Sequence, residues 1–577
     1  KFGIGARVTL TIGNQKLTQE VSPVRGWQSS MGYVLNFGLG KAGRIDEIRV
    51  DWQHGKTQII HKDIPINQLM TIEEGEGVNF VNPEINIGLL EEIEPLDKED
   101  IFIKENRFVD FNVEGLMPKM LSREGPNLAK GDVNGDGRED FFVCGPKTQS
   151  GKIFIQKDDS KFELKTAFEA DKMLEDTDAI FFDFDNDGDL DLYVVSGGGE
   201  YREGAKQLQD RLYLNDGLGN FSIKENAIPE ITLNGSCVVS MDYNDDGFYD
   251  LFIGSRSLTG SYGTSPESIF LMNENGESFK NVSKEVFSGF NKLGMVTDAV
   301  WVQNERKLVV VGEWMPITVF KFLKGKATRQ VIKNSNGWWN TIEAADFDMD
   351  GDLDFLCGNL GTNSNLKVHQ GKPLRLWIKD FDKNYQIDPI MTYHRGGTEY
   401  VYHSKDELVG QLTALRKVFI EYTLYSKSNF NDIFPAETMA DVVKKEANLL
   451  RSVYVESIAK ESYEIYELPI QTQFAPIESF EVGDFNNDGY FDALAIGNFN
   501  EFQPSIGQMD ASYGWVLLND PDQELGPKKF EVIEPRKSGF SVIGEGRDMV
   551  TVKGLQGQNI VVVSRNNNSL QFFEKTR

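Results

Sequence analysis

Short apolar runs separated by polar turns recur along most of the chain. Phe141-Phe142-Val143-Cys144, Leu192-Tyr193-Val194-Val195, Leu251-Phe252-Ile253, Leu308-Val309-Val310-Val311 and Ile560-Val561-Val562-Val563 are the clearest. Runs this short, rich in aromatic and β-branched residues and bounded by Gly, Asp and Asn, predict strands rather than helices. Strands of this kind start near residues 141, 192, 251, 308, 355, 493 and 560, at intervals of 47 to 67 residues except one of 138. A repeat of that size, each copy a small sheet, predicts an all-β fold with a β-propeller of seven blades. An eighth blade is required if the long interval hides a divergent copy.

The long interval carries the only clear helical pattern. Ser404-Lys405-Asp406-Glu407 is a capping box, and Leu408, Leu412, Leu415 and Phe419 follow on one helical face. A second helix is expected after Pro435, with Met439, Val442 and Val443 inward. The reading is a helical insertion at about 400–455, packed on one blade. The first 75 residues differ from the rest. Val8–Ile12 and Arg49–Trp52 alternate like half-buried strands, and Gln53-His54-Gly55-Lys56 reads as a turn. The expected division is therefore a small all-β domain over 1–75, a linker over 76–105 and the propeller over 106–577.

The loops between strands carry chemistry. One pattern, Asp-x-Asp/Asn-x-Asp-Gly-x-x-Asp, occurs five times. The copies are Asp132, Asn134, Asp136 and Asp140; Asp183, Asp185, Asp187 and Asp191; Asp242, Asn244, Asp246 and Asp250; Asp346, Asp348, Asp350 and Asp354; and Asp484, Asn486, Asp488 and Asp492. A variant, Asp380, Asp382, Asn384 and Asp388, has Tyr385 in place of the Gly. A cation of calcium size takes six to eight oxygens. Carboxylates and amides at positions 1, 3, 5 and 9 can point inward while the backbone curls round the ion, with a carbonyl at position 7. Gly at position 6 permits the sharp turn. Position 12 is not Glu in any copy, and strands rather than helices flank the loops, so these are not EF-hands. Five Ca2+ sites are expected, with the variant as a weaker or empty sixth because Tyr385 disfavours the turn.

Composition narrows the function classes. Sixty Lys and Arg against 89 Asp and Glu give a net charge of −29, which repels nucleic acid and acidic membrane surfaces. The first 75 residues carry +2 and the remainder −31. No apolar run approaches the 18 residues of a membrane span. Three Cys, all in apolar strand-like runs, predict buried free thiols, and five His leave little room for zinc or His-based catalysis. His394, Arg395 and His403 form the best candidate catalytic cluster. The chain opens without an initiator Met on strand-like Lys1-Phe2-Gly3-Ile4-Gly5, which reads as part of a longer protein.

Gly5-Ala6-Arg7-Val8, Ser29-Ser30, Asn36-Phe37-Gly38-Leu39-Gly40 and Ile48-Arg49-Val50-Asp51-Trp52 resemble the ASPIC/UnbV domain. The acidic loops resemble FG-GAP or VCBS repeats, the calcium-bearing blades also seen in integrin alpha subunits. The pairing resembles the cartilage acidic protein family and its large bacterial relatives. Gly312-Glu313-Trp314-Met315-Pro316, Gly358-Asn359-Leu360-Gly361-Thr362-Asn363 and Asp510-Ala511-Ser512-Tyr513-Gly514 fit the bacterial group. The resemblance implies an extracytoplasmic protein at the cell surface or outer membrane. It implies fold and calcium more firmly than activity.

The expected function is a calcium-stabilised binding or scaffold module for a surface glycan or protein, with an outer-membrane transport complex among the candidates. A polysaccharide lyase or hydrolase on the same scaffold is the alternative. Turns after the second strands should emerge at the rim opposite the calcium loops. There Arg256, Glu313, Asn359, Asn498 and Arg565 are expected to converge on one polar ligand pocket, with Trp314 and Asn363 beside it.

Overall fold

The computed structural model describes residues 2–53, 56–62, 64–75, 78–79, 88–96, 102–157, 161–287, 292–458, 462–520, 529–555, 557 and 559–576. His54 and Gly55 of the expected turn lie outside them, as do 76–77, 80–87 and 97–101 of the expected linker. The chain divides into two compact units, Lys1–Asn86 and Ile87–Arg577.

The first unit is a small antiparallel β domain. Arg7–Ile12 sits between Gln15–Glu20 and Glu47–Asp51, and Lys56–Ile60 and Val78–Asn79 extend the sheet. The alternation seen in the sequence sets its register. Val8 pairs Val50 and Leu10 pairs Ile48, so Leu10, Ile48 and Val50 share the buried face with Ala6 and Val21.

The second unit is built from four-stranded antiparallel sheets. Six of them take their strands in chain order, five without interruption and the fifth across an insertion. The first is Leu128–Gly131, Asp140–Val143, Lys152–Gln156 and Phe162–Ala167. The second, third and fourth begin at Asp176–Phe182, Asn234–Met241 and Met295–Val302. The fifth begins at Gly337–Ala345 and the sixth at Ile477–Gly483. The fourth and fifth are joined where Glu313 pairs Trp338. In each sheet the second strand is buried throughout, Asp191–Ser196 and Asp354–Asn359 among them, because both of its faces are covered. This explains why these strands read as continuous apolar runs rather than as alternating ones.

The seventh sheet departs from the expected boundaries. It comprises Glu545–Lys553, Asn559–Asn566 and Gln571–Lys575, and its fourth strand is Leu90–Ile93, from the stretch expected to be linker. Phe572 pairs Ile93 and Lys575 pairs Leu90. Leu90 is buried while Glu91 and Glu92 are exposed, as suits an outermost strand.

The insertion enters the fifth sheet between its second strand, Asp354–Asn359, and its third, Val453–Ile458. It is not purely helical. It carries a sheet of its own, ordered Thr398–Val401, Asp388–Arg395, Leu374–Lys379, Val443–Ala447. The capping box forms as expected: the Ser404 hydroxyl accepts from the Glu407 amide, and the Glu407 carboxylate accepts from the Ser404 amide. It opens the helix Lys405–Gln411. Leu408, Leu412 and Phe419 are buried beside Phe430, Ile433 and Phe434. The second helix expected after Pro435 is instead a single 3-10 turn, Ala436–Met439, followed by a strand in which Val443 is exposed. β-Branched Val443 pairs Ile378 across the sheet, and strand pairing overrides the weak helical pattern.

Three half-buried aspartates link neighbouring sheets through backbone amides. Asp178 of the second accepts from Val238 of the third, and Asp298 of the fourth from Ile342 of the fifth, each at 2.8 Å. Asp548 of the seventh accepts from Leu128 of the first, again at 2.8 Å. Each carboxylate also accepts from the amide of its own following residue. Desolvation holds Asp298 and Asp548 up at about 6 and raises Asp178 well above the usual carboxylate range.

Candidate metal centres and the polar cluster

The acidic loops connect the first and second strands of the first, second, third, fifth and sixth sheets, and the variant connects the first two strands of the insertion sheet. All six share one backbone path. The carboxylate at position 1 accepts from the amide at position 6, at 2.8–3.1 Å: Asp132 from Gly137, Asp183 from Gly188, Asp242 from Gly247, Asp346 from Gly351, Asp484 from Gly489 and Asp380 from Tyr385. The five Gly have φ of +84 to +99° and Tyr385 has +67°. Tyr385 therefore enters the left-handed region and keeps the turn that it was expected to disrupt.

The aspartate at position 9 has a second task. Asp140, Asp191, Asp250, Asp354, Asp388 and Asp492 are all buried. One oxygen of Asp191 accepts from Phe184 and the other from Asn215, near the third strand. Asp140 spans Val133 and Gln156, Asp250 spans Tyr243 and Asn273, and Asp492 spans Phe485 and Asn519. Asp354 takes Tyr454 and Ser457 instead, and Asp388 takes Phe381 and the Gln411 side chain. These carboxylates brace the loop against the sheet. Burial pushes Asp140, Asp191, Asp250 and Asp354 up to about 7.

Asn215, Asn273 and Asn519 were not singled out from the sequence. Their side-chain amides donate to Val133, Phe184 and Phe347, the second residues of acidic loops on other sheets. The signal was present as Leu214-Asn215-Asp216, Met272-Asn273-Glu274 and Leu518-Asn519-Asp520, a recurrence weaker than the Asp pattern.

The loops differ in the oxygens they leave free. Asp183, Asp185 and Asp191 bring one oxygen each within 4.8 Å of one another, as do Asp346, Asp348 and Asp350, and Asp380, Asp382 and Asp388. One oxygen each of Asp183, Asp185, Asp346 and Asp382 is buried and has no hydrogen-bond partner among the described residues. Burying an anionic acceptor unpaired is costly, and a cation satisfies it. The residues present thus fit a hard divalent ion. In the other three loops position 3 is Asn. The side-chain oxygens of Asn134, Asn244 and Asn486 accept from the amides of Asp136, Asp246 and Asp488, at 2.9–3.0 Å.

The residues expected to form a ligand pocket are only partly brought together. Arg256 donates to Glu313 at 2.7 Å and pairs Glu124 at 2.5 Å. The other Glu313 oxygen accepts from Tyr262 at 2.7 Å, and Tyr262 in turn accepts from the Trp314 indole. Into this group projects Lys119, 2% exposed, 3.1 Å from Glu313 and over the Phe499 ring. The chain's own lysine takes the place where a ligand was expected. Burial alone would raise the Glu313 carboxyl, but Lys119 and Arg256 hold it down at about 2. Trp314 packs against Trp338 in the core and offers no open face.

Asn359, Asn498 and Arg565 do not join the cluster. Asn359 donates to the carbonyls of Leu449 and Arg451, Asn498 to those of Ser512 and Gly544, and Arg565 to those of Ser569 and Ile543. Asn363, at the surface, donates to the Phe474 carbonyl. Polar rim residues in this fold close the backbone, which the sequence pattern does not separate from ligand binding. Lys119, Tyr262 and Glu124 carried no repeat signal and were missed.

The histidines are also engaged. His403 is buried, accepts from the Met391 amide, and is pushed down to about 4 by burial. His394 bonds the Pro373 carbonyl and lies 3.5 Å from Arg375, which is paired with Glu399 and Glu446. The three Cys are free and buried.

Residues 1–79 match the family model described as ASPIC and UnbV, and residues 132–194 match the one described as an FG-GAP-like repeat. The chain thus carries these two elements in the order its sequence motifs indicated. No curated protein matches it. Among solved structures, one titled as BBS1N in complex with ARL6DN, soaked with lead, is 9% identical with a TM-score of 0.37, covering 85% of this chain and 98% of that one. The biofilm matrix protein Bap1 of V. cholerae is also 9% identical, with a TM-score of 0.34, covering 85% of this chain and 91% of that one. Likeness at that level assigns neither fold nor partner.

Proposed function

We propose that this protein is an extracytoplasmic, calcium-stabilised binding module whose second unit is a closed seven-bladed β-propeller. The first strands of consecutive sheets lie side by side, and that of the seventh lies beside that of the first. The Asp548–Leu128 bond spans the same junction. The observation that carries the metal reading is the set of buried, unpartnered carboxylate oxygens inside loops that repeat from sheet to sheet. Calcium suits them because the donors gathered in each loop are all oxygen. Weak loop affinities of this class fit a compartment rich in calcium, hence the extracytoplasmic assignment. The partner is a surface glycan or protein.

Thermal melting with and without chelator tests the metal. An ion that binds only the folded chain stabilises it by about 2.7 kcal/mol per site at about 100-fold excess over Kd. Chelation is expected to lower the melting temperature, and calcium to restore it better than magnesium. An unchanged curve, with no metal found by elemental analysis, overturns the reading.

A further inference from the structure

A polar cleft of about 390 Å³ opens between the 380–388 loop of the insertion sheet and the 259–261 turn of the third sheet. Its volume falls in the range of small-molecule sites. At its edge stands Tyr385, 99% exposed, on a backbone conformation that the other five loops give to Gly. A β-carbon at four of those glycines would meet nothing within 4 Å. The position therefore projects a side chain away from the loop. The Tyr385 ring makes no aromatic or hydrogen-bond contact among the described residues.

Three other polar side chains of the lining are available to a ligand. Arg202 is exposed and has no ion pair among the described residues. The Thr259 hydroxyl is buried without a partner among the described residues, and the Gln386 side chain is exposed. Glu114, the one carboxylate of the lining, is already held by the amides of Gly260 and Tyr262. A free aromatic face, a planar guanidinium and neutral amide and hydroxyl groups match a ring that carries hydroxyls on its edge and C–H bonds on its face.

We propose that this cleft is a saccharide-binding site, with the Tyr385 ring as the stacking platform and Arg202 as donor to a sugar hydroxyl or carboxylate. The proposal deepens the binding-module reading and rests on it. It also makes binding depend on the cation. The Asp380 carboxylate accepts from the Tyr385 amide, a cation held by Asp380, Asp382 and Asp388 would fix that turn, and Gln411, a lining residue, donates to Asp388.

The test is calorimetric titration of the whole chain, in excess calcium, with cellohexaose, maltohexaose, laminarihexaose, chitohexaose and hexagalacturonate. At least one is expected to bind. Tyr385→Gly, which restores the residue of the other loops and so does not threaten folding, should weaken that binding at least about tenfold. Arg202→Ala should weaken it too, most for hexagalacturonate if a carboxylate is bound, and chelator should abolish it. Binding unchanged in Tyr385→Gly overturns the cleft while leaving the binding-module reading standing. No binding of any probe to the unmodified chain overturns the saccharide assignment, and the melting experiment judges the metal reading separately.

Discussion

Replacing Lys119 with Met tests whether the centre of the polar cluster is a structural plug. The variant removes a buried cation of similar length and leaves Glu313, 0% exposed, with Arg256 and Tyr262. At 3.1 Å and an effective dielectric of about 20, the gross Lys119–Glu313 attraction is about 5 kcal/mol, part of it offset by desolvation. Removing one member of a buried pair costs about 3–5 kcal/mol. The ionisation of Glu313 gives an independent bound. Its fall from 4.5 to about 2 corresponds to about 3 kcal/mol of stability at neutral pH, shared among its partners. That stability is fully present above pH 4.5 and is lost as pH falls toward 2. We therefore expect Lys119→Met to cost about 3 kcal/mol at pH 7. Urea unfolding of the calcium-loaded chain, followed by tryptophan fluorescence, reports it, because Trp314 and Trp338 lie in the adjoining core. The double variant Lys119→Met with Glu313→Gln should be no worse than the single one, a non-additivity of at least about 1 kcal/mol. A midpoint unmoved by Lys119→Met, or strictly additive losses, refutes the reasoning.

Two further outcomes are expected. Asp140, Asp191, Asp250 and Asp354 bind protons more tightly in the folded chain than in the unfolded one, since burial lifts them to about 7. The metal-free protein should therefore lose stability as pH rises from about 4 to about 7, and calcium should flatten that slope; a metal-free melting temperature that rises over this range contradicts it. Asp548→Ala leaves the buried Leu128 amide without its acceptor and should destabilise by about 1–3 kcal/mol, with hydrogen exchange quickening first at Leu128; unchanged exchange there would show that the junction does not depend on this bond.

The repeating sheets and the acidic loops were legible because the same physical demand recurs. Each loop needs oxygens at fixed spacing and each second strand needs apolar residues on both faces. What was not legible depends on partners distant in sequence. Leu90–Ile93 contains two glutamates and looks like linker until Gln571–Lys575 supplies its hydrogen bonds. Val443–Ala447 contains two lysines and a glutamate, and becomes a strand only beside Leu374–Lys379. Of the five residues expected to converge on a ligand pocket, Arg256 and Glu313 meet, but nothing local announced that Lys119 would reach them. Tyr385 was read as a defect in a metal loop, because a pattern search sees a departure from Gly and not where the side chain goes.

The fourth strand of the seventh sheet has a consequence for biogenesis. Ile93 and Phe572 are neighbours in the sheet yet are almost the whole of the second unit apart along the chain. A ribosome releases Leu90–Ile93 long before the three other strands of its sheet. Until they emerge the early segment has no sheet to join, and the seventh sheet cannot be completed by any product that stops short of residues 571–575. Pairings of such high sequence separation are slow to form and leave edges open meanwhile. Truncation of the last strand should therefore release both ends of the unit at once, so a proteolytic trim at residues 571–575 would act on residues 90–93 as directly as a cut beside them.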